Sequence, residues 1–378
     1  MNKKLLPLAI GALLAASPLV AAHAGVKIGG YINVSADNLN DGNGHSGSFT
    51  SSNASNIVLS ADTDLGNGLK AVFSAQTFID MGSNNNPPGA GGPTLNTSGF
   101  TYNTFGNGNT YAGLAGAFGM VAAGRNDSPM KQLGRQLDLF GNQIGDSRNI
   151  IQGFAGNRFD LRPGHTIFYV SPNFAGFQGK AAYTTENAVL SNPKAHTSSV
   201  SGTYHMGPFF AGLAYETHST NTYAGAGTFM GVASATTDEN AWRLGGGVSM
   251  GQFKVVALYQ REHNLNGASG VNLNSVWGLG AAFKFTSKDT VKAQYYRAGD
   301  VSGCAGLAVC SNTGAAMWAV GYQHAFTKHA LVYADYARTN NNSNGTYGAF
   351  GGGHGNTTGA VAAGKDPHGV SVGMIYTF

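Results

Sequence analysis

Apolar residues return at every second position over much of this chain, the period of a β-strand with two unlike faces. In His368–Phe378, Val370, Val372, Met374, Tyr376 and Phe378 fall on one face, and Gly369, Ser371, Gly373, Ile375 and Thr377 fall on the other. The first face is apolar and closes on aromatics; the second is mostly small or polar. Similar segments number sixteen: 25–37, 54–64, 68–80, 109–117, 118–126, 163–171, 177–185, 196–206, 208–217, 240–250, 252–262, 273–285, 290–299, 314–325, 330–340 and 368–378. Most have the ~9–11 residues or slightly more that cross a bilayer at a tilt of ~45°.

The connections alternate in length. Short ones include Leu65–Asn67, Pro172–Gly176, Met206–Pro208, Gly251 and Thr286–Asp289. The long ones are Asn38–Asn53, Met81–Gly108, Asp127–Arg162, Glu186–Ala195, His218–Glu239, His263–Asn272, Asp300–Thr313 and Asn341–Pro367. A soluble sandwich would show the same alternation within one strand, but short turns on one side and long loops on the other belong to outer-membrane barrels. The pattern predicts an all-β fold: a closed, 16-stranded antiparallel transmembrane β-barrel over residues 25–378, without helices and with both termini on the periplasmic side.

Composition agrees. Charged residues make up 11% of the 378 residues, against ~25% in soluble domains. Outward positions in lipid cannot carry charge cheaply, so charge is left to the lumen and loops. Gly is abundant, at 57 residues, about twice the usual share. After residue 24 no apolar run approaches the ~20 residues of a membrane helix. The net charge of +4 is too small for a nucleic-acid footprint, and no nucleic-acid partner is expected.

Residues 1–24 read as a cleavable signal peptide: Lys3 and Lys4 form the positive start, Leu5–Ala16 the apolar run and Ala22-His23-Ala24 the cleavage site. Cleavage is expected between Ala24 and Gly25. Cys304 and Cys310, an even pair in an exported chain, are expected to form a disulfide in a surface loop.

Several segments in order give the chain a resemblance to a known family. They are Asp64–Phe73 (DLGNGLKAVF), Gly113–Arg125 (GLAGAFGMVAAGR) followed by Ser128-Pro129, Arg162–Gly176 (RPGHTIFYVSPNFAG), Gly321–Tyr333 (GYQHAFTKHALVY) and the terminal Tyr376-Thr377-Phe378. With these the mature chain resembles the trimeric general-diffusion porins of Gram-negative outer membranes, particularly the betaproteobacterial type. The resemblance implies a homotrimer in outer-membrane lipid and lipopolysaccharide, with a third external loop folded inward to narrow each pore. It also implies that Tyr376 and Phe378 form a signal read by the outer-membrane assembly machinery.

Asp127–Arg162 is the matching loop, and unusually long connections of this kind are often functional. It carries Asp127, Lys131, Arg135, Asp138, Asp146, Arg148, Arg158, Asp160 and Arg162. Selectivity in a pore follows from its width and from the charges that line it. The resemblance places Arg125, on the strand entering the loop, and Arg162, on the strand leaving it, on the constriction wall. Lys131, Arg135, Asp127, Asp138 and Asp146 are the loop candidates. Lys27 and Lys70 fall on the inward phase of their strands, since a lysine facing lipid at mid-membrane costs ~2–4 kcal/mol. The family usually has an Arg at the start of the second strand; here Ser55 is followed by Asn56, so the basic ladder is expected to be short. The loop also lacks a Pro-Glu-Phe-Gly-like stretch.

The expected function is passive diffusion of small hydrophilic solutes and ions, with weak anion preference and with no catalysis, metal or cofactor. A solute-specific channel on the same barrel and a surface adhesion or structural β-protein are the alternatives. The latter calls for short fixed-period repeats that the chain does not show. Gly42-Asn43-Gly44-His45-Ser46-Gly47 matches a dinucleotide fingerprint but sits in a loop with no helix after it.

Overall fold

The computed structural model describes residues 25–81, 104–152, 159–185, 195–220, 227–349, 353–355 and 361–378. Residues 1–24, expected to be a signal peptide, Arg158 and most of the Glu186–Ala195 loop lie outside these residues.

One antiparallel sheet closes on itself. Its segments begin with β1 (Gly25–Asn40), β2 (Ser46–Ser52), β3 (Asn56–Gly66), β4 (Leu69–Phe78), β5 (Thr110–Gly116) and β6 (Gly119–Arg125). Next come β7 (Thr166–Val170), β8 (Phe177–Thr185), β9 (His196–Met206) and β10 (Phe209–His218). After a small separate hairpin, β11 (Thr228–Phe229) and β12 (Val232–Ala233), follow β13 (Glu239–Met250), β14 (Phe253–His263), β15 (Asn272–Lys284) and β16 (Asp289–Ala298). The chain ends with β17 (Val301–Ser302), β18 (Ala315–Ala325), β19 (Ala330–Asn341) and β20 (His368–Thr377). β2 and β3 both lie along the same side of β1, and β17 prolongs β16 along β15, so the wall has sixteen strands. β1 joins β20 from Tyr31↔Thr377 to Asn40↔His368. Closure leaves no edge, as a sheet in hydrocarbon requires, because every backbone polar group there must be satisfied within the sheet.

The strand phases follow the alternation of the sequence. Val370, Val372, Met374 and Tyr376 are exposed, whereas Gly369 and Ser371 are buried toward the lumen. Phe118, Phe174, Phe177, Phe209, Phe253, Phe326 and Phe378 form an exposed aromatic girdle at the short-turn end, as at a membrane–water boundary.

Three departures have physical causes. The second wall strand starts at Ser46 rather than near 54, because Ser46–Ser52 zips onto β1 from Asn40↔Ser46 to Val34↔Ser52. These residues are mostly small and polar and carry no alternation to read. The strand is interrupted at Asn53–Ser55, where Ala54 takes φ 52° and the Ser55 hydroxyl both donates to the Asn33 carbonyl and accepts from its N–H. Secondly, β5, β6 and β7 are short, at 7, 7 and 5 residues; they flank the point where the long loop leaves and rejoins the wall. Thirdly, the loop is not without helix. It contains α1 (Pro129–Gln136) and α2 (Arg148–Ile151).

Candidate pore constriction

Residues 127–152 and 159–162 turn into the barrel and lie along one side of it. Helix α1 begins where Ser128 accepts a hydrogen bond from the Lys131 N–H at 3.2 Å and Pro129 occupies the first turn, both favoured at a helix start. Met130, Leu133 and Leu137, spaced for one helical face, are fully buried against the wall, and Ile150, Ile151 and Phe159 join them. The wall beneath is apolar too: Ala214, Ala241, Val256, Leu258, Val276 and Met317 point inward and are covered. The inner surface is therefore a dry seat on one side and open to water on the other.

Glycines make the seat deep enough. A Cβ on Gly212 or Gly245 would strike Leu133 or Leu137, and one on Gly280 would crowd Leu139. Part of the high glycine content thus reflects loop docking.

Polar wall side chains hold the loop backbone. Arg243, fully buried, donates to the carbonyls of Met130 at 2.8 Å and Phe159 at 3.1 Å, and its Nε donates to Gln260 Oε1 at 2.6 Å. Gln260 Nε2 donates to the Ile151 carbonyl at 2.9 Å. Gln294 accepts from the Leu139 N–H at 3.1 Å and donates to the Gly145 carbonyl at 2.6 Å. Tyr296 Oη and Lys292 Nζ each donate at 3.0 Å, to the carbonyls of Leu137 and Leu139. From the far wall, the Tyr31 hydroxyl accepts from Asn142 Nδ2 at 2.6 Å. Sequence reading did not single these residues out. The available signal was a large polar side chain on an inward phase flanked by apolar inward neighbours.

The charged candidates meet in one network. Arg162 Nε lies 2.8 Å from Asp127 Oδ1, and Lys131 Nζ lies 3.4 Å from Asp127 and 3.3 Å from Asp160. Arg135 lies 3.0 Å from Asp146 and 3.8 Å from Asp138, and Arg148 is 2.7 Å from Asp146. Burial pushes the Asp127 carboxyl up, but Lys131 and Arg162 outweigh it and hold it well below the usual range. For Asp138, burial and then the neighbouring Asp146 carboxylate raise the pKa to about 6. Asp146, although buried, is held down by Arg148 and Arg135.

Between the loop and the open wall lies a polar chamber of about 170 Å³. Its wall side is neutral, formed by Tyr31, Gln76, Phe78 and Asn109; its loop side carries Asp127, Lys131, Arg135, Arg148 and Arg162. The charges do not share the water equally. The side chains of Asp138, Asp146 and Asp160 are 0–1% exposed, whereas Arg135 is 27% and Arg162 13% exposed, beside Asp127 at 14%. The chamber thus sees cations whose counterions lie mostly behind them.

Other candidates lie elsewhere. Arg125 does not line the chamber; in register it shares the outward phase of Val121 and Ala123, exposed at the end of β6. Lys70 and Lys27 face the lumen nearer the short-turn end, each 3.3 Å from Asp62. Asn56 donates to the Ala54 carbonyl at 2.9 Å and is buried. Cys304 and Cys310 lie in the loop between β17 and β18 with Cα atoms 5.7 Å apart, in disulfide geometry.

Comparison with known proteins bears on this arrangement. A family model described as "Gram-negative porin" matches residues 9–344. Outer membrane porin protein 32 of Delftia acidovorans is 27% identical over an alignment covering all of both chains. Major outer membrane protein P.IB of Neisseria gonorrhoeae is 29% identical over 55% of this chain and 53% of that one. Among solved structures, the anion-selective porin from Comamonas acidovorans superposes with a TM-score of 0.72 at 23% identity, covering 94% of this chain and 100% of that one. The trimer form of OmpT from Vibrio cholerae gives 0.63 at 13% identity, covering 94% and 99%.

Proposed function

The chain belongs to the Gram-negative porin family of outer-membrane channels, and on that premise we propose that it is a general-diffusion pore with weak anion preference, working without catalysis or cofactor. The observation that carries the preference is the split of charge at the chamber: Arg135 and Arg162 reach water with one acid, Asp127, beside them, while Asp138, Asp146 and Asp160 are sealed behind. Fixed charge at a constriction biases the ions that pass, and a net positive lining draws anions. The anion-selective Comamonas porin shares the fold. Reversal potentials across a planar bilayer in a salt gradient test the reading; a cation-selective potential overturns it.

The working form in this reading is a homotrimer. The tryptophans all lie on β13, β15 and β18, whereas β1 and β20 expose the aliphatic Val26, Ile28, Val370 and Val372, a surface suited to subunit contact. A large species in cold detergent that collapses to monomer on boiling is expected. Maturation after Ala24, a disulfide between Cys304 and Cys310, and recognition of Tyr376 and Phe378 by the assembly machinery complete the proposal. The two aromatic rings are exposed, with centroids 6.2 Å apart. N-terminal sequencing of the mature protein checks the first of these.

A further inference from the structure

Tyr31 stands on β1 in phase with the buried Asn33, Ser35 and Asp37 and out of phase with the exposed Val26 and Ile28, so its side chain faces the lumen. At this level β1 is flanked by β3 and β20, on the open wall, away from the seat of the constriction loop. The loop nevertheless reaches it at one point. Asn142, at the loop's tip, donates from Nδ2 to the Tyr31 hydroxyl at 2.6 Å, and that hydroxyl makes no second hydrogen bond among the described residues.

Asn142 is tied on its other sides as well. Its backbone adopts φ 61°, a left-handed conformation that asparagine tolerates better than most residues with a side chain. Its N–H donates to Asp146 Oδ2 at 2.7 Å, and its Oδ1 accepts from Arg148 Nη2 at 2.7 Å. Asp146 in turn accepts from Arg135 at 3.0 Å, and a Cβ on Gly141 would meet the Arg135 guanidinium at 2.8 Å. The tip is thus one braced unit that carries Arg135, a cation that reaches the chamber's water, and Tyr31 is the point at which the open wall holds it.

The two flanks of this contact differ. On one side the tip is dry: Phe140 and Ile144 pack with Leu39, Ala319 and Ala337 of the wall. On the other lies the polar chamber, and Tyr31 and Asn142 both contribute to its lining. The contact is therefore the seam where the dry flank ends and the water begins. One hydrogen bond between neutral groups closes the chamber's rim there.

We propose that Tyr31 sets the exclusion limit of the channel by holding the loop tip against the open wall, so that solutes pass through the chamber at the width this bond fixes. It is a positioning residue for Asn142, and through Asn142 for Arg135. The net contribution of a neutral hydrogen bond is modest, so the bond governs how often the rim stands wide and does not seal it. The proposal rests on the diffusion-channel reading above and goes beyond it in assigning size selection to one wall residue.

The test reconstitutes the full chain into liposomes as wild type, Tyr31→Phe, Asn142→Gly and the double variant, and reads swelling rates in arabinose and in sucrose. Phenylalanine keeps the ring and loses only the hydroxyl; glycine accepts the left-handed backbone and loses the side chain. The sucrose-to-arabinose rate ratio is expected to rise about threefold in Tyr31→Phe, in keeping with the loss of one neutral hydrogen bond, and at least as much in Asn142→Gly. In the double variant it is expected to rise no further than in Asn142→Gly alone, because both changes remove the same bond. The temperature at which the oligomer dissociates in detergent is expected to stay as in wild type; a merely structural role for Tyr31 would lower it and leave the ratio alone. An unchanged ratio in Tyr31→Phe, or a double variant whose rise is the product of the two single ones, overturns the proposal. A cation-selective wild type would overturn the anion preference and not this proposal, since swelling in neutral sugars does not report charge.

Discussion

Arg243 ties the wall to the constriction loop: its guanidinium donates at 2.8 Å to the carbonyl of Met130, in the first turn of α1. The same group also holds the Phe159 carbonyl, at 3.1 Å, so one wall residue fixes both limbs of the loop. Arg243→Met removes these donors while keeping much of the volume. Hydrogen bonds to charged groups contribute about 1.5–3 kcal/mol each, enough to let the loop leave its seat part of the time. The expected result is an intact heat-resistant barrel whose open-channel current is noisier and closes at lower voltage. Recordings indistinguishable from wild type would show that Arg243 is no clamp.

Arg162 and Asp127 form a mostly buried ion pair at the edge of the chamber's water, with a nitrogen–oxygen distance of 2.8 Å. Arg162→Ala removes the cation and leaves Asp127 facing water with only Lys131 beside it. Two unit charges about 4 Å apart interact by ~1 kcal/mol even at the dielectric constant of water. The permeability ratio of chloride to potassium is therefore expected to fall by about three- to fivefold. Arg125→Ala serves as the contrast: outside the chamber, it is expected to leave the ratio unchanged. Bi-ionic reversal potentials for both variants decide the matter, and equal effects would return Arg125 to the constriction.

Asp138 supplies a pH dependence. Burial and the adjacent Asp146 carboxylate raise its pKa to about 6. Protonation below that value removes a negative charge from behind Arg135, so anion preference is expected to be stronger at pH 5 than at pH 8. Asp138→Asn should hold the low-pH selectivity throughout. The stability sign follows from the raised pKa. The folded protein binds this proton more tightly than the unfolded chain, so the contribution is complete at low pH and lost as pH rises through about 6. A selectivity that is flat with pH in wild type, or a titration that persists unchanged in Asp138→Asn, would contradict the assignment.

The wall was legible in the sequence because lipid imposes a strict rule on alternate residues. All sixteen strands fall where apolar side chains recur with period two, except for the extension Ser46–Ser52, which has little apolar signal to give. The inner surface obeys no such single rule. Val256, Leu258 and Met317 point inward like Gln260 and Gln294, and only the docked loop explains why apolar groups occupy a nominal water channel. The ion-pair network was half legible. Lys131, Arg135, Asp127, Asp146 and Arg162 stand out as charges in one loop, but which of them reach water depends on how α1 and α2 pack. Arg125 sits beside Gly124, whose φ of 145° lies at the very end of β6, and residue type alone does not reveal its outward phase.

Gly245 gives the sharpest test of the seat. It lies on the inward phase of β13, and Leu137 of the loop occupies the space where a Cβ would stand. Its backbone needs no unusual conformation, and a Cβ there meets Leu137 first and the Ala257 carbonyl of the neighbouring strand second, at 2.8 Å, so the loop must give most and β14 a little. Gly245→Ala, the smallest such addition, is therefore expected to fold and trimerise with a small local shift of the wall while forcing Leu137 out of a fully buried site. Overpacking of this kind costs about 1–3 kcal/mol, comparable to one of the polar clamps. The loop should shift toward the open wall, narrowing the chamber bounded by Tyr31 and Gln76, and single-channel conductance should fall. Leu137→Ala in the same chain restores the missing volume and should recover the conductance. Rescue by that second substitution separates a steric seat from a general weakening of the barrel, because a weakened barrel would be made worse, not better, by the loss of a buried leucine.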